Sequence, residues 1–142
     1  MTRGATLLEL LLVLAITGIG LAIAAPVVSP WLDRTSVDRA AQDLVAAHRR
    51  ARATAVLESR VTLLLIGPDS LLLRVVAGSD TVTRWSAPGP AAAGVALSGP
   101  AYPLLFSPVG WTFGVSNGTY RLSRGRASRQ VVVSRLGRVT VR

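Results

Sequence analysis

The chain has no cysteine among its 142 residues, which excludes a disulfide framework, a thiolate metal site and a cysteine nucleophile. Lysine is absent as well, so all 16 basic side chains are arginine. There is one histidine, His48, with no Cys, Asp or second His at ligand spacing, and neither a metal site nor a cofactor is expected. The acids Asp33, Asp38, Asp43, Glu58, Asp69 and Asp80 are scattered, and the glycines form neither GxGxxG nor GxxxxGK. No catalytic constellation or phosphate loop results, and an enzyme is not expected. Acidic residues stop at Asp80, so the net charge of +9 is concentrated in the C-terminal half. Such a surface attracts polyanions or acidic lipid headgroups. A GC-rich coding sequence, which favours Ala, Gly, Pro and Arg over Lys, is the other source of so many arginines.

Charge is also scarce near the N-terminus, where residues 5–32 hold one charged side chain, Glu9. As a helix this stretch would extend roughly 42 Å at ~1.5 Å per residue, enough to span a bilayer. Arg3 ahead of it favours a cytoplasmic N-terminus, and Trp31 falls where the apolar run ends, at headgroup level. A carboxylate within such a helix costs about 2.5 to 3.5 kcal/mol near the bilayer centre, so Glu9 implies a partner charge. Gly18 and Gly20 each lower helix propensity by about 1 kcal/mol relative to Ala, and Pro26 removes an intrahelical hydrogen bond.

The local sequence Arg3-Gly4-Ala5-Thr6-Leu7-Leu8-Glu9-Leu10-Leu11 closely resembles the type III signal of type IV pilins and type II secretion pseudopilins. The resemblance implies cleavage after Gly4 by a prepilin peptidase and N-methylation of Ala5, although the family commonly has Phe at that position. It further implies that Glu9 faces the N-terminal ammonium of a neighbouring subunit in the filament, which would offset the desolvation of both charges. The alternative is an ordinary secretory signal peptide, with Met1 to Arg3 as n-region and Ala22-Ile23-Ala24 as cleavage site. Against it, Glu9 would interrupt the apolar region, which would exceed the usual length.

Beyond Pro30, Val37, Ala40, Ala41, Leu44, Ala47, Ala51 and Ala55 recur at helical spacing, which predicts an amphipathic helix over 33–60 with His48 on or beside its apolar face. Residues 61–66, 71–76 and 81–85 are β-rich runs separated by turn residues and predict an antiparallel meander. Residues 86–103, rich in Pro and Gly, predict a long loop with one short strand near 95–97. Trp111, Phe113 and Val115 alternate before Asn117-Gly118, and Tyr120 and Leu122 after it, which predicts a tight hairpin. A second hairpin is expected across Arg135-Leu136-Gly137, with valines 131, 133, 139 and 141 inward and Arg121, Arg138, Thr140 and Arg142 outward.

The segments 104–110 and 129–139 are similar to the C-terminal signature of the GspH/FimT family, and with the N-terminal signal the likeness covers nearly the whole chain. It implies an α+β fold: a long N-terminal transmembrane and amphipathic helix packed on an antiparallel β-sheet domain. The expected organisation is a leader at 1–4, a membrane helix at 5–32, an amphipathic helix at 33–60 and a GspH-like β domain at 61–142. The resemblance implies a single-pass inner-membrane subunit with a periplasmic domain, partnered by other pseudopilins or minor pilins, the prepilin peptidase and secreted cargo. Type II secretion is the leading expectation. DNA is the alternative partner, through Arg126, Arg129, Arg138 and Arg142, because FimT-like members are implicated in DNA uptake. Their compact Gly-Arg-x-Arg is matched here only in part, since Gly137-Arg138-Val139-Thr140 lacks the second arginine.

Overall fold

A computed structural model describes residues 6–114 and 116–142, with the backbone but not the side chains of 23–28. Two compact units divide the chain, Met1–Leu32 and Asp33–Arg142. Helix α1 (Leu7–Leu57) supplies the described part of the first and the opening element of the second. Thr6 stands just before it, and the Thr6 hydroxyl accepts the Glu9 N–H at 3.3 Å, satisfying one of the donors that a helix N-terminus leaves open. Within the first unit Thr17 donates its hydroxyl to the Val13 carbonyl at 2.6 Å, so its polar group is met inside the helix. The helix continues through Gly18, Gly20 and Pro26; the Pro26 side chain lies outside the described residues. Among the described residues no helix is long and apolar enough to cross a membrane. The expected span 5–32 includes residue 5 and the side chains of 23–28, which also lie outside them.

In the second unit, Val37, Ala40, Ala41, Leu44, Ala47, Ala51 and Ala55 are all buried, as their spacing predicts. Alanine dominates this face, so the helix lies close to the strands while the larger side chains come from the sheets. The first sheet has the order β3-β2-β1-β5-β6, formed by β1 (Thr62–Ile66), β2 (Ser70–Ala77), β3 (Asp80–Pro88), β5 (Leu104–Phe106) and β6 (Thr112–Phe113). Its alternation puts Leu64, Leu71, Leu73, Val75, Leu104 and Phe106 in the core. The register carries that face across strands, with Thr62 between Val75 and Phe106 and Leu64 between Leu73 and Leu104. The second sheet, β4-β7-β8-β9, comprises β4 (Ala96–Ser98), β7 (Gly118–Arg124), β8 (Ala127–Val133) and β9 (Val139–Val141). It adds Tyr120, Leu122, Val131 and Val133 to the same core. The α+β class and the helix-on-sheet arrangement of this unit agree with the sequence reading.

Several boundaries differ from expectation. The helix ends at Leu57, short of Arg60, where Ser59 takes a positive φ of 49° and the Arg60 N–H turns back to the Ala55 carbonyl at 3.1 Å. Much of the expected loop 86–103 is ordered as the end of β3, a 3-10 turn at Pro90–Ala93 and β4. The hairpin across Asn117-Gly118 does not form. β6 pairs with β5 in one sheet, while β7 lies in the other between β4 and β8, so the chain crosses between sheets there. Gly118 is needed for space, since a Cβ would lie 2.5 Å from Pro100 Cγ, while Gly114 takes the positive φ of 68°. Alternation in 111–115 therefore does not mark a buried face: Trp111 and Phe113 are exposed, and Val115 lies outside the described residues. The hairpin across Arg135-Leu136-Gly137 is present, with Gly137 at φ 72°. Val131 and Val133 are buried in it, Val139 is half-buried, and Val141, near the chain end on an edge strand, is exposed.

Candidate functional site

Glu9 sits in the first turn of α1, beside Thr6, Leu8, Leu11 and Leu12. No described residue forms an ion pair with it, and the apolar side chains around it are exposed, Leu7 and Leu8 by about three quarters. A carboxylate at the third helical position is favoured by the helix dipole, and Thr6-x-x-Glu9 fits a capping box. The Thr6-x-x-Glu9 spacing is the sequence signal for this helix start. Gly4 and Ala5, the expected cleavage and methylation positions, lie outside the described residues.

The arginines of the second unit fall into two groups. Arg124, at the end of β7, holds Asp33 at 3.0 Å through Nε and donates through Nη1 to Ser36 Oγ at 3.0 Å and to the Ala93 carbonyl at 2.6 Å. It joins the helix, the 3-10 turn and β7. Arg129 Nε pairs with Asp38 Oδ1 at 2.7 Å, because Arg129 lies opposite Leu122 and so shares the helix-facing side of β8. Arg121 and Arg142 flank Gln130 in the register, on the opposite side. Arg126 occupies the β7–β8 turn and Arg138 follows the β8–β9 turn, at opposite ends of β8. The four arginines expected to act together on a polyanion are thus distributed over two faces and two turns, with Arg129 already neutralised by Asp38.

His48 is buried, and its ring meets Phe106 edge-on with centroids 5.1 Å apart. Both ring nitrogens lack a hydrogen-bond partner among the described residues. Burial first, then the charges of Arg52 and Arg49, lower its pKa from 6.5 to about 4, so the ring is neutral at neutral pH. Among the described residues no group of three or more His, Cys, Asp or Glu side chains is placed to hold a metal ion. Beside His48 opens a cleft of about 690 Å³ between the helix residues Arg49 and Arg52 and the β8–β9 turn at Leu136 and Arg138. A second groove, of about 660 Å³, runs between the helix and the β3 end, where Arg50 stacks on the Trp85 ring at 5.0 Å. Neither the Arg124 clasp nor this cleft was anticipated, since each depends on residues brought together from distant segments.

Residues 40–137 match the family model described as type II transport protein GspH. The chain is 33% identical over 154 residues to pilin-like protein PilA1 of Thermus thermophilus, with 96% of each covered. Its fold is similar to that of the type IV minor pilin FimU of Pseudomonas aeruginosa (TM-score 0.65, 20% identity, 77% of this chain and 90% of that one). It is likewise similar to the minor pseudopilin EpsH of the Vibrio cholerae type 2 secretion system (TM-score 0.60, 13% identity, 75% and 95% covered).

Proposed function

The chain belongs to the GspH family, and we propose that it is a minor pseudopilin that assembles at the tip of a type II secretion pseudopilus and supports protein secretion. Its role is assembly and not catalysis. In this reading residues 5–32 anchor it in the inner membrane after cleavage between Gly4 and Ala5, the N-terminus is cytoplasmic before processing, and the unit Asp33–Arg142 is periplasmic. The observation that carries it is Glu9: a carboxylate on an exposed apolar helix surface, without an ion-pair partner among the described residues. Such a group is satisfied when a neighbouring subunit brings a positive charge to it, so assembly supplies what the single chain lacks.

Two measurements test the two steps. Intact-mass analysis of protein purified from membranes should find an N-terminus at Ala5, with or without a methyl group. Glu9→Leu should insert into the membrane as well as wild type yet fail to enter the assembled tip complex. An N-terminus at Ala25, or equal incorporation of the variant, would refute the reading.

The absence of acids after Asp80 and the exposure of Arg126, Arg138 and Arg142 favour a second reading, a FimT-like minor pilin that binds DNA for uptake. Weak binding to DNA, with Kd of roughly 10⁻⁴ to 10⁻⁶ M, is expected of any basic surface and does not distinguish the two. Tight, steeply salt-dependent binding does.

A further inference from the structure

We infer that the cleft beside His48, together with the apolar turns at its rim, docks an acidic segment of a neighbouring protein subunit, a carboxylate entering among Arg49, Arg52 and Arg138 and an apolar side chain resting on Leu136 and Trp111. This rests on the assembly reading, which it deepens by giving the periplasmic unit a partner surface of defined chemistry.

Arg49 and Arg52 lie three residues apart on one helix, hence on neighbouring turns of one face, and Arg138 meets them across the cleft. None of the three is within ion-pair distance of a carboxylate among the described residues: Asp33, Asp38 and Glu58 are engaged by Arg124, Arg129 and Arg84. No acid follows Asp80 in sequence. His48 beneath them is uncharged, so it neither adds to nor relieves their repulsion. Three guanidinium groups held around one opening without a counter-charge form a site for an anion, and the planar fork of arginine suits a carboxylate.

The rim identifies that anion as part of a protein. Leu136 lines the cleft and is 81% exposed, and the adjoining turn, whose Gly110 approaches Arg52, carries Val109 and Trp111, 71% and 66% exposed, where polar residues would serve the backbone as well. These turns are held in place. Ser107 donates its N–H to the Trp111 carbonyl at 2.8 Å and accepts the Trp111 N–H on its hydroxyl at 3.2 Å. Gly110, at φ 79°, packs against Val56 and Arg52, and Thr112 donates to the Arg135 carbonyl at 2.6 Å. The two turns and the helix end therefore present a pre-formed surface, which lowers the ordering cost of binding. Exposed Trp beside Arg is the composition of an interface centre, and Leu136 adds apolar area next to it. A nucleic acid would gain little from aliphatic side chains at this rim. A second copy of the chain, carrying +9, would bring like charge to the arginines.

The test uses the full chain in an uncharged detergent and a fluorescent peptide of alternating leucine and glutamate, read by fluorescence anisotropy. Wild type should bind saturably. The triple variant Arg49→Gln, Arg52→Gln, Arg138→Gln should bind at least about tenfold more weakly, as should Leu136→Ser with Trp111→Ser, while Arg121→Gln with Arg142→Gln leaves affinity within about threefold. A peptide with glutamine in place of glutamate should lose at least about tenfold in affinity for wild type. Circular dichroism checks that each variant is folded, and Arg138→Gln alone, at an exposed turn position, serves where the triple variant is not. Affinity unchanged by the arginine or by the apolar substitutions overturns the proposal. So does tighter binding of a single-stranded oligonucleotide that is lost in the same arginine variant, which would make the cleft a nucleic-acid site. In cells, normal tip incorporation of the triple variant while Glu9→Leu is excluded would overturn the docking and leave the assembly reading standing. Normal incorporation of Glu9→Leu would refute the assembly reading itself.

Discussion

Replacing His48 by leucine should remove most of an acid-induced loss of stability that the buried ring builds into the wild type. His48 is 2% exposed and packs on Phe106, and neither ring nitrogen has a partner among the described residues. In the folded chain burial, then Arg52 and Arg49, hold its pKa at about 4, against 6.5 ordinarily. Between these values the unfolded chain binds a proton that the folded chain refuses, so stability falls as pH falls. The contribution is fully present above about pH 6.5. It is reduced by about 2 kcal/mol at about pH 5 and by about 3 kcal/mol at about pH 4. The other ionisable groups are common to both proteins, so the informative quantity is the difference between wild type and His48→Leu at each pH. Leucine is close to histidine in volume and leaves no polar atom unpaired, so the variant should equal or exceed wild type by about 1 kcal/mol near neutrality. Its lead should then widen by about 3 kcal/mol on acidification. Urea unfolding followed by circular dichroism, between about pH 7.5 and about pH 4, measures both. Parallel stability curves for the two proteins would refute the reasoning, since they would mean that the folded ring takes up its proton as readily as the unfolded one.

Arg124→Gln should cost about 1 to 2 kcal/mol in thermal unfolding, because it removes the Asp33 pair and the Ser36 bond and leaves the Ala93 carbonyl without its donor; Arg126→Gln, two residues on in the exposed turn, should shift stability by less than about 0.5 kcal/mol. Tyr120→Phe should be neutral or stabilising by up to about 1 kcal/mol in urea, since the Tyr120 hydroxyl is buried without a partner among the described residues and burial pushes its pKa up to about 12.

The helix face was legible because seven small or aliphatic residues recur at its period, and all seven are buried. The meander was legible for the same kind of reason: 61–66, 71–76 and 81–85 carry β-branched and leucine runs between turn residues, and they pair as β1, β2 and β3. Asn117-Gly118 misled because a glycine can serve a turn or a close approach with the same letter. Only the three-dimensional neighbour, Pro100, reveals that Gly118 serves the second. The glycine that does begin a turn beside β7, Gly125 at φ 54°, lies between two arginines, and the Tyr120 and Leu122 alternation ahead of it points as readily to a turn at Asn117-Gly118 instead. Ion pairs between Arg124 and Asp33, or Arg129 and Asp38, join residues some ninety positions apart and leave no trace in local spacing. Glu9 stood out on composition alone, since one charge in a long apolar run is conspicuous whatever the fold around it.

The division of the arginines follows from strand alternation and bears on how basic surfaces in this chain are tested. Arg129 shares the helix-facing side of β8 with Val131 and Val133, where the core would exclude a charge, but it stands at the strand's end, level with Asp38 on α1. Arg124 is held in the same way by Asp33. These two arginines tie the second sheet to the helix, whereas Arg49, Arg52, Arg138 and Arg142 have no described carboxylate within reach and leave their charge to the surface. Removing Arg129 together with Arg126, Arg138 and Arg142 would therefore lower both the surface potential and the hold of β8 on the helix, leaving an unpaired Asp38 behind. A loss of DNA binding in that fourfold variant would not separate a lost contact from a shifted sheet. Sparing Arg129 keeps the fold constant and makes any change in polyanion affinity a property of the surface arginines alone.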